Sequence, residues 1–207
     1  MVIIMGFGIA FLGYCFLLLH PLGLGVIASP LLAYGFFLAS RLDRYFAYSS
    51  VAALFLLPRG LFLLINILLP FLGFEIDLAV KLPYVELATY TMFFVAWFFV
   101  VLYHCLAVIR IAKECEHKKL QAMANRQLYI TSLVIFFSLS MLIFNNVIDD
   151  SRLVMVSYIA YYIALIMNLY FTHTCLVLIT SESQYEKDKR YVAEQDMKAA
   201  EKRARRK

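Results

Sequence analysis

The chain has 207 residues, of which 63% are apolar, 16% aromatic and only 16% charged, with a net charge of +5. Soluble domains are about half apolar and a quarter charged, and a chain of this length still needs a polar exterior, so a water-soluble fold is excluded together with disorder, collagen and disulfide scaffolds. What remains is an all-α, polytopic integral membrane protein.

Apolar runs of about 20 residues cross a hydrocarbon core of about 30 Å at roughly 1.5 Å per residue. The first is Val2 to Leu19. It lacks a charged n-region and a small-residue cleavage site, so it reads as a span rather than a signal peptide. The second, Leu22 to Ser40, follows at once, which makes His20-Pro21 the turn of a hairpin. Gly6, Ala10 and Gly13 share one face of the first run, and Ala28, Gly35 and Ala39 one face of the second. Such faces let backbones approach closely where lipid removes any hydrophobic drive for association.

The stretch 45–74 is apolar at both ends but interrupted by Pro58, Arg59 and Gly60, so it reads as one kinked span or as an elbow followed by a short span. Three further spans follow, Tyr84 to Ile109, Leu128 to Ile148 and Leu153 to Thr180. Arg41, Arg44, the loop 110–127 and the tail 181–207 together hold sixteen of the nineteen basic residues. The alternate connections hold five acids, Glu75, Asp77, Glu86, Asp149 and Asp150, against Lys81 and Arg152. Lys and Arg accumulate on the cytoplasmic side, and the two sets alternate only if 45–74 crosses once. The expectation is six transmembrane helices with both termini inside, in the cell membrane if the source is bacterial.

All eight glycines and all five prolines fall within the first 83 residues. The chain therefore divides into kinked helices over 1–83, straight helices over 84–180 with the basic loop 110–127, and a charged tail over 181–207. Glu186/Arg190, Glu194/Lys198 and Glu201/Arg205 stand at i, i+4 in that tail, which is expected to be a solvated helix whose basic end attracts anionic lipid headgroups. Inverted-repeat carriers show breaks at corresponding positions of both halves, and here the second half has none.

The chain lacks a phosphate loop, a zinc helix, a nucleophile elbow and a CxxC pair, so no catalytic residue and no cofactor is assigned. An intramembrane charge marks a functional site by default, and Arg59 is the most conspicuous one, with Glu75, Asp77, Glu86, Asp149 and Asp150 as its candidate partners. Ser157, Tyr161, Asn168, Thr172 and Cys175 form a polar stripe on the last span, read mainly as contacts between helices. Arg59, Tyr161, Asn168 and Thr172 make up the candidate intramembrane polar site. His104, Cys105, His173 and Cys175 are a secondary metal candidate, since both histidines lie at one depth from which they could face each other. The leading functional expectation is a non-enzymatic membrane scaffold, sensor or accessory subunit. Its rivals are a small transporter or channel and, more weakly, a membrane redox or metal protein. A protein partner subunit or a homo-oligomer fits this expectation; nucleic acid is not expected as a partner.

Overall fold

The computed structural model describes residues 2–74, 76–144 and 155–179, with side chains over 5–74, 76–141 and 155–179. Glu75, Asn145, Asp149, Asp150, Arg152 and the tail 181–207 lie outside the described residues. Within them the protein is helical, without strands. The elements are α1 (Val2–Leu18), a 3-10 turn (His20–Leu22), α2 (Gly25–Ala39), α3 (Arg44–Leu54), α4 (Leu57–Phe71), the short α5 (Leu78–Lys81), α6 (Pro83–Glu114), α7 (Lys118–Phe144) and α8 (Met155–Ile179). Three helices are long and apolar enough to cross a membrane, namely Arg44–Phe71, which joins α3 and α4, then α6 and α8; Met5–Leu18 and α2 are shorter apolar helices. Their length and composition are compatible with a membrane protein.

The α1–α2 hairpin closes through small residues. A Cβ at Gly35 would stand 2.5 Å from the Ala10 amide nitrogen, and one at Gly6 would stand 2.9 Å from the Gly35 carbonyl oxygen. The two small faces therefore touch backbone to backbone, and only hydrogen fits between them. Gly23 ends the turn at φ +77, a left-handed conformation that L side chains rarely adopt.

The rod α3–α4 breaks at Phe55–Leu56, just before Pro58. Pro58 then falls in the first turn of α4, where a missing N–H removes no helical bond. At the break the Ser29 hydroxyl donates to the Ala53 carbonyl at 2.8 Å. Ser50 donates to the Ala33 carbonyl and Ser49 to the Val100 carbonyl, so short hydroxyls pin α3 to α2 on one side and to α6 on the other.

Helix α6 is the centre of the bundle. It packs against α3, α4 and α7, and its Phe93, Phe94, Trp97 and His104 meet rings of α8. One face of α7, with Leu120, Ala124, Gln127, Thr131, Ile135 and Ser138 at steps of three and four, is buried. Helix α8 bonds to it from Ser157 to Ser138 and from Asn168 to Thr131. Asp43 caps α3 by accepting from the Tyr45 amide, and it pairs with Arg110 of α6 at 3.5 Å.

Glycine-to-alanine changes will separate contact from composition. Gly60 faces the backbone of α2, where a Cβ would stand 2.6 Å from the Gly25 carbonyl carbon, whereas a Cβ at Gly8 meets nothing within 4 Å. Gly60→Ala is expected to lose about 1–3 kcal/mol through overpacking. Gly8→Ala should be neutral or gain up to about 1 kcal/mol from helix propensity. Unfolding in mixed detergent micelles measures both.

Candidate functional site

At the end of the bundle where the 3-10 turn, α4 and the start of α6 meet, one buried charge organises its surroundings. The Arg59 side chain is 8% exposed, and its Nη2 lies 3.5 Å from Oε1 of Glu86, itself 37% exposed. The guanidinium also stands 5.1 Å from the ring centroid of Tyr90 and 5.5 Å from that of Phe62. An opposite charge and two aromatic faces are the compensation a cation needs in an apolar interior. Of the five carboxylates nominated from the sequence, Glu86 makes this pair. Asp77 instead caps α5, accepting from the Ala79 amide and from Asn66 Nδ2, and the other three lie outside the described residues.

Backbone contact sets this geometry. Gly60, next to Arg59, packs on Gly25 and Val26 of α2, and a Cβ at Gly25 would stand 2.9 Å from the His20 ring and 3.2 Å from the Gly60 Cα. The pair of glycines thus draws the first turn of α4 against α2 and brings Arg59 beside His20.

Between these elements lies a cavity of about 110 Å³. His20, Arg59, Tyr90, Ser157, Tyr158 and Tyr161 give it polar atoms, and Pro21, Leu63, Phe93 and Phe94 supply the apolar wall. Four buried polar atoms on these side chains have no hydrogen-bond partner among the described residues: Arg59 Nε and Nη1, His20 Nε2 and Tyr161 Oη. Buried polar atoms are nearly always paired, and these four are enclosed in the packing of residues that line the cavity. His20, in the turn outside the long helices, has its pKa pushed down to about 4, by burial first and then by the charge of Arg59. At neutral pH its imidazole is uncharged, with one nitrogen able to donate and the other to accept.

The four nominated polar residues separate into two groups. Arg59 and Tyr161 meet at the cavity. Asn168 and Thr172 lie about 10 and 16 Å further along α8. There Asn168 Nδ2 donates to the Ala164 carbonyl at 2.9 Å and to Thr131 Oγ1 at 3.4 Å, and Thr172 donates to the Asn168 carbonyl at 2.8 Å. His20 and Tyr90 escaped sequence reasoning. The first reads as a turn residue, and the second belongs to a seven-residue repeat with Trp97 and His104. The signal that could have found Tyr90 is its place one turn after Glu86 on α6, the spacing at which an acid and a ring together flank a cation.

The metal candidates diverge. The His104 ring is fully buried between the rings of Phe36 and Phe171 at 5.0 Å, Phe46 at 5.9 Å and Phe7 at 6.3 Å. Cys105 and Cys175 are buried, whereas His173 is exposed and stands against Phe11. The two histidines do not face each other, because Thr172 and Cys175 take the inward face of α8 and leave His173 outside. Among the described residues no group of three His, Cys, Asp or Glu side chains stands close enough to hold a metal ion.

Three experiments test these assignments. Glu86→Gln should lower stability by about 1–3 kcal/mol, since it leaves a buried guanidinium with only a neutral acceptor. The exchange Arg59→Glu with Glu86→Arg should recover part of what either single reversal loses, and detergent unfolding of the four variants reads the coupling. Both nitrogens of His104 lack a hydrogen-bond partner among the described residues, so its ring is held by aromatic faces alone. His104→Phe is accordingly expected to keep stability or raise it by about 1–3 kcal/mol, read as a shift in melting temperature.

Comparison of the chain with protein-family models, with curated proteins and with solved structures finds no significant match.

Proposed function

We propose that this is a six-span membrane protein with both termini in the cytoplasm. It acts as a non-enzymatic sensor, holding a small ligand in the outward-facing cavity beside Arg59. The observation that carries this reading is a buried, ion-paired Arg59 that lines, with His20, Tyr90 and Tyr161, a cavity of about 110 Å³. A mostly apolar pocket with a few convergent polar groups is the usual form of a small-molecule site.

The depth of the site supports the orientation. Glu86 and Arg110 both lie on α6, twenty-four residues apart, and each anchors an ion pair to the α3–α4 rod. At about 1.5 Å per residue they are separated by roughly 36 Å, the hydrocarbon thickness plus part of each interface. With Arg110 at the basic, cytoplasmic end of α6, Arg59 and Glu86 fall near the outer boundary. The polar stripe of α8 favours a sensor over a conduit, because Ser157, Asn168 and Thr172 are engaged in bonds to α7 or within α8.

Accessibility mapping tests both parts. In a chain whose own cysteines are replaced by serine, Ser157→Cys and Ala79→Cys should react with a membrane-impermeant maleimide from outside only. Ala199→Cys should react from inside only. Labelling of positions 79 and 199 from the same side would overturn the topology. Equal labelling of position 157 from both sides would instead make the cavity part of a transport path.

A further inference from the structure

We infer that the open groove between α3 and α6 seats one anionic phospholipid, with an acyl chain along its apolar floor and the phosphate on Arg44. The groove has a volume of about 410 Å³. Its floor is two buried alanines, Ala52 and Ala96, and its walls are the exposed side chains of Val51 and Phe55 on one helix and Val95 and Phe99 on the other. Small residues between large ones leave a trough where two packed helices otherwise interlock. Along α6 the lining runs from Met92 to Tyr103, about 16 Å, which is roughly half the hydrocarbon thickness and so the depth of one leaflet.

One end of this trough changes character. Tyr48 and Tyr103 close it with ring centroids 5.4 Å apart, and the ring of Tyr45 stands 6.1 Å from the first and 6.4 Å from the second. The Arg44 guanidinium lies 5.7 Å from the Tyr45 centroid, and the residue is exposed. Arg44, Tyr48, Val51 and Phe55 follow steps of four, three and four, so Arg44 stands on the groove's own face of α3, one turn or about 6 Å beyond the tyrosines. Arg110 continues the opposite wall seven residues after Tyr103, but its Nε is held by Asp43 and Glu114, each at 3.5 Å. Those two acids are thereby engaged, and among the described residues no acid pairs with Arg44. Apolar trough, tyrosines, then a cation is the order in which a phospholipid passes from chain to ester to phosphate.

The charged end selects the occupant. Lipid tails are as apolar as the groove, so seating a chain there gains little by itself. A guanidinium offers a planar fork of donors to a phosphate, and an anionic phospholipid brings that phosphate without the ammonium that offsets it in a zwitterionic one. A second copy in the same bilayer would instead bring its own Arg44 and Arg110 to the same depth, with like charges opposed. The inference does not use the Arg59 cavity; it takes from the proposed function only that α3–α4 and α6 cross a membrane.

Native mass spectrometry of the full-length protein in non-ionic detergent, titrated with phosphatidylglycerol or with phosphatidylcholine of identical chains, counts the bound lipids. A single phosphatidylglycerol should saturate at a concentration about fivefold lower than phosphatidylcholine requires. Arg44→Gln should bring the two lipids level, whereas Lys119→Gln, an exposed cation on α7, should leave the preference intact. Ala96→Phe fills the trough with every charge in place and should weaken the phosphatidylglycerol adduct at least about fivefold; if it does not fold, Val51→Trp fills the trough from an exposed position.

Equal binding of the two lipids, or a preference that survives Arg44→Gln, overturns the assignment of the phosphate. An adduct that responds to Arg44→Gln but to neither filling variant reports attraction to surface charge alone and overturns the groove as the seat. A dimer that forms in place of the adduct and is broken by Val51→Trp gives the groove to a second copy, which also overturns the proposal. Because binding is read in micelles, each of these outcomes is independent of the labelling that tests the topology and the Arg59 cavity.

Discussion

A guanidinium enclosed in an apolar bundle must find its compensation within a few ångströms, and much of this end of the structure is arranged by that requirement. Arg59 takes an acid and a ring from successive turns of α6, Glu86 and Tyr90, and a second ring, Phe62, from its own helix. For the first two to reach it, α4 must lie close to α6, and it lies close to α2 as well. The neighbouring Gly60 makes the second approach, meeting Gly25 with no side chain between them. The register of three helices therefore depends on one charge and on the two hydrogens that let the backbones touch.

Much of this was legible in the residues before any coordinates. The small faces of α1 and α2 announce a close hairpin because glycine at helical spacing has few other uses in lipid, and Arg59 stands out because an arginine among leucines needs a partner. The break at Phe55–Leu56 lies one turn before Pro58, because proline has no N–H for the carbonyl four residues earlier, that of Leu54, and its ring crowds that carbonyl. Other features were not legible, for identifiable reasons. His173 and Thr172 are adjacent, about 100° apart on the helix, and the sequence alone does not say which of them faces the core. His20 contributes to the site through the fold of a turn, which has no periodicity to read.

The two halves of the chain solve the same packing problem differently. Where glycine and alanine line the contact, helices meet through backbone and dispersion; where α7 and α8 carry longer side chains, they meet through Ser138–Ser157 and Thr131–Asn168. Hydrogen bonds of this kind average about 0.6 kcal/mol in membrane bundles, so neither pair is decisive alone. Helix α6 serves both regimes. Its broad buried surface, from Phe93 to Ala112, takes small-residue contact on one side and aromatic contact with Tyr161 and Phe171 on the other.

The spacing of Arg59 and Glu86 along the chain bears on how the protein is made. Synthesis runs from the N-terminus, so on the six-span reading the rod α3–α4 reaches the bilayer while the acid that neutralises it, twenty-seven residues later, is still in or near the ribosome. An arginine in an apolar segment adds to the cost of insertion, by up to about 2.5–3.5 kcal/mol at the helix centre and by less near the outer boundary, where it can snorkel. On that reading, release into lipid would wait for the start of α6, and the ion pair that orders the finished bundle would also set the order in which its helices enter the membrane.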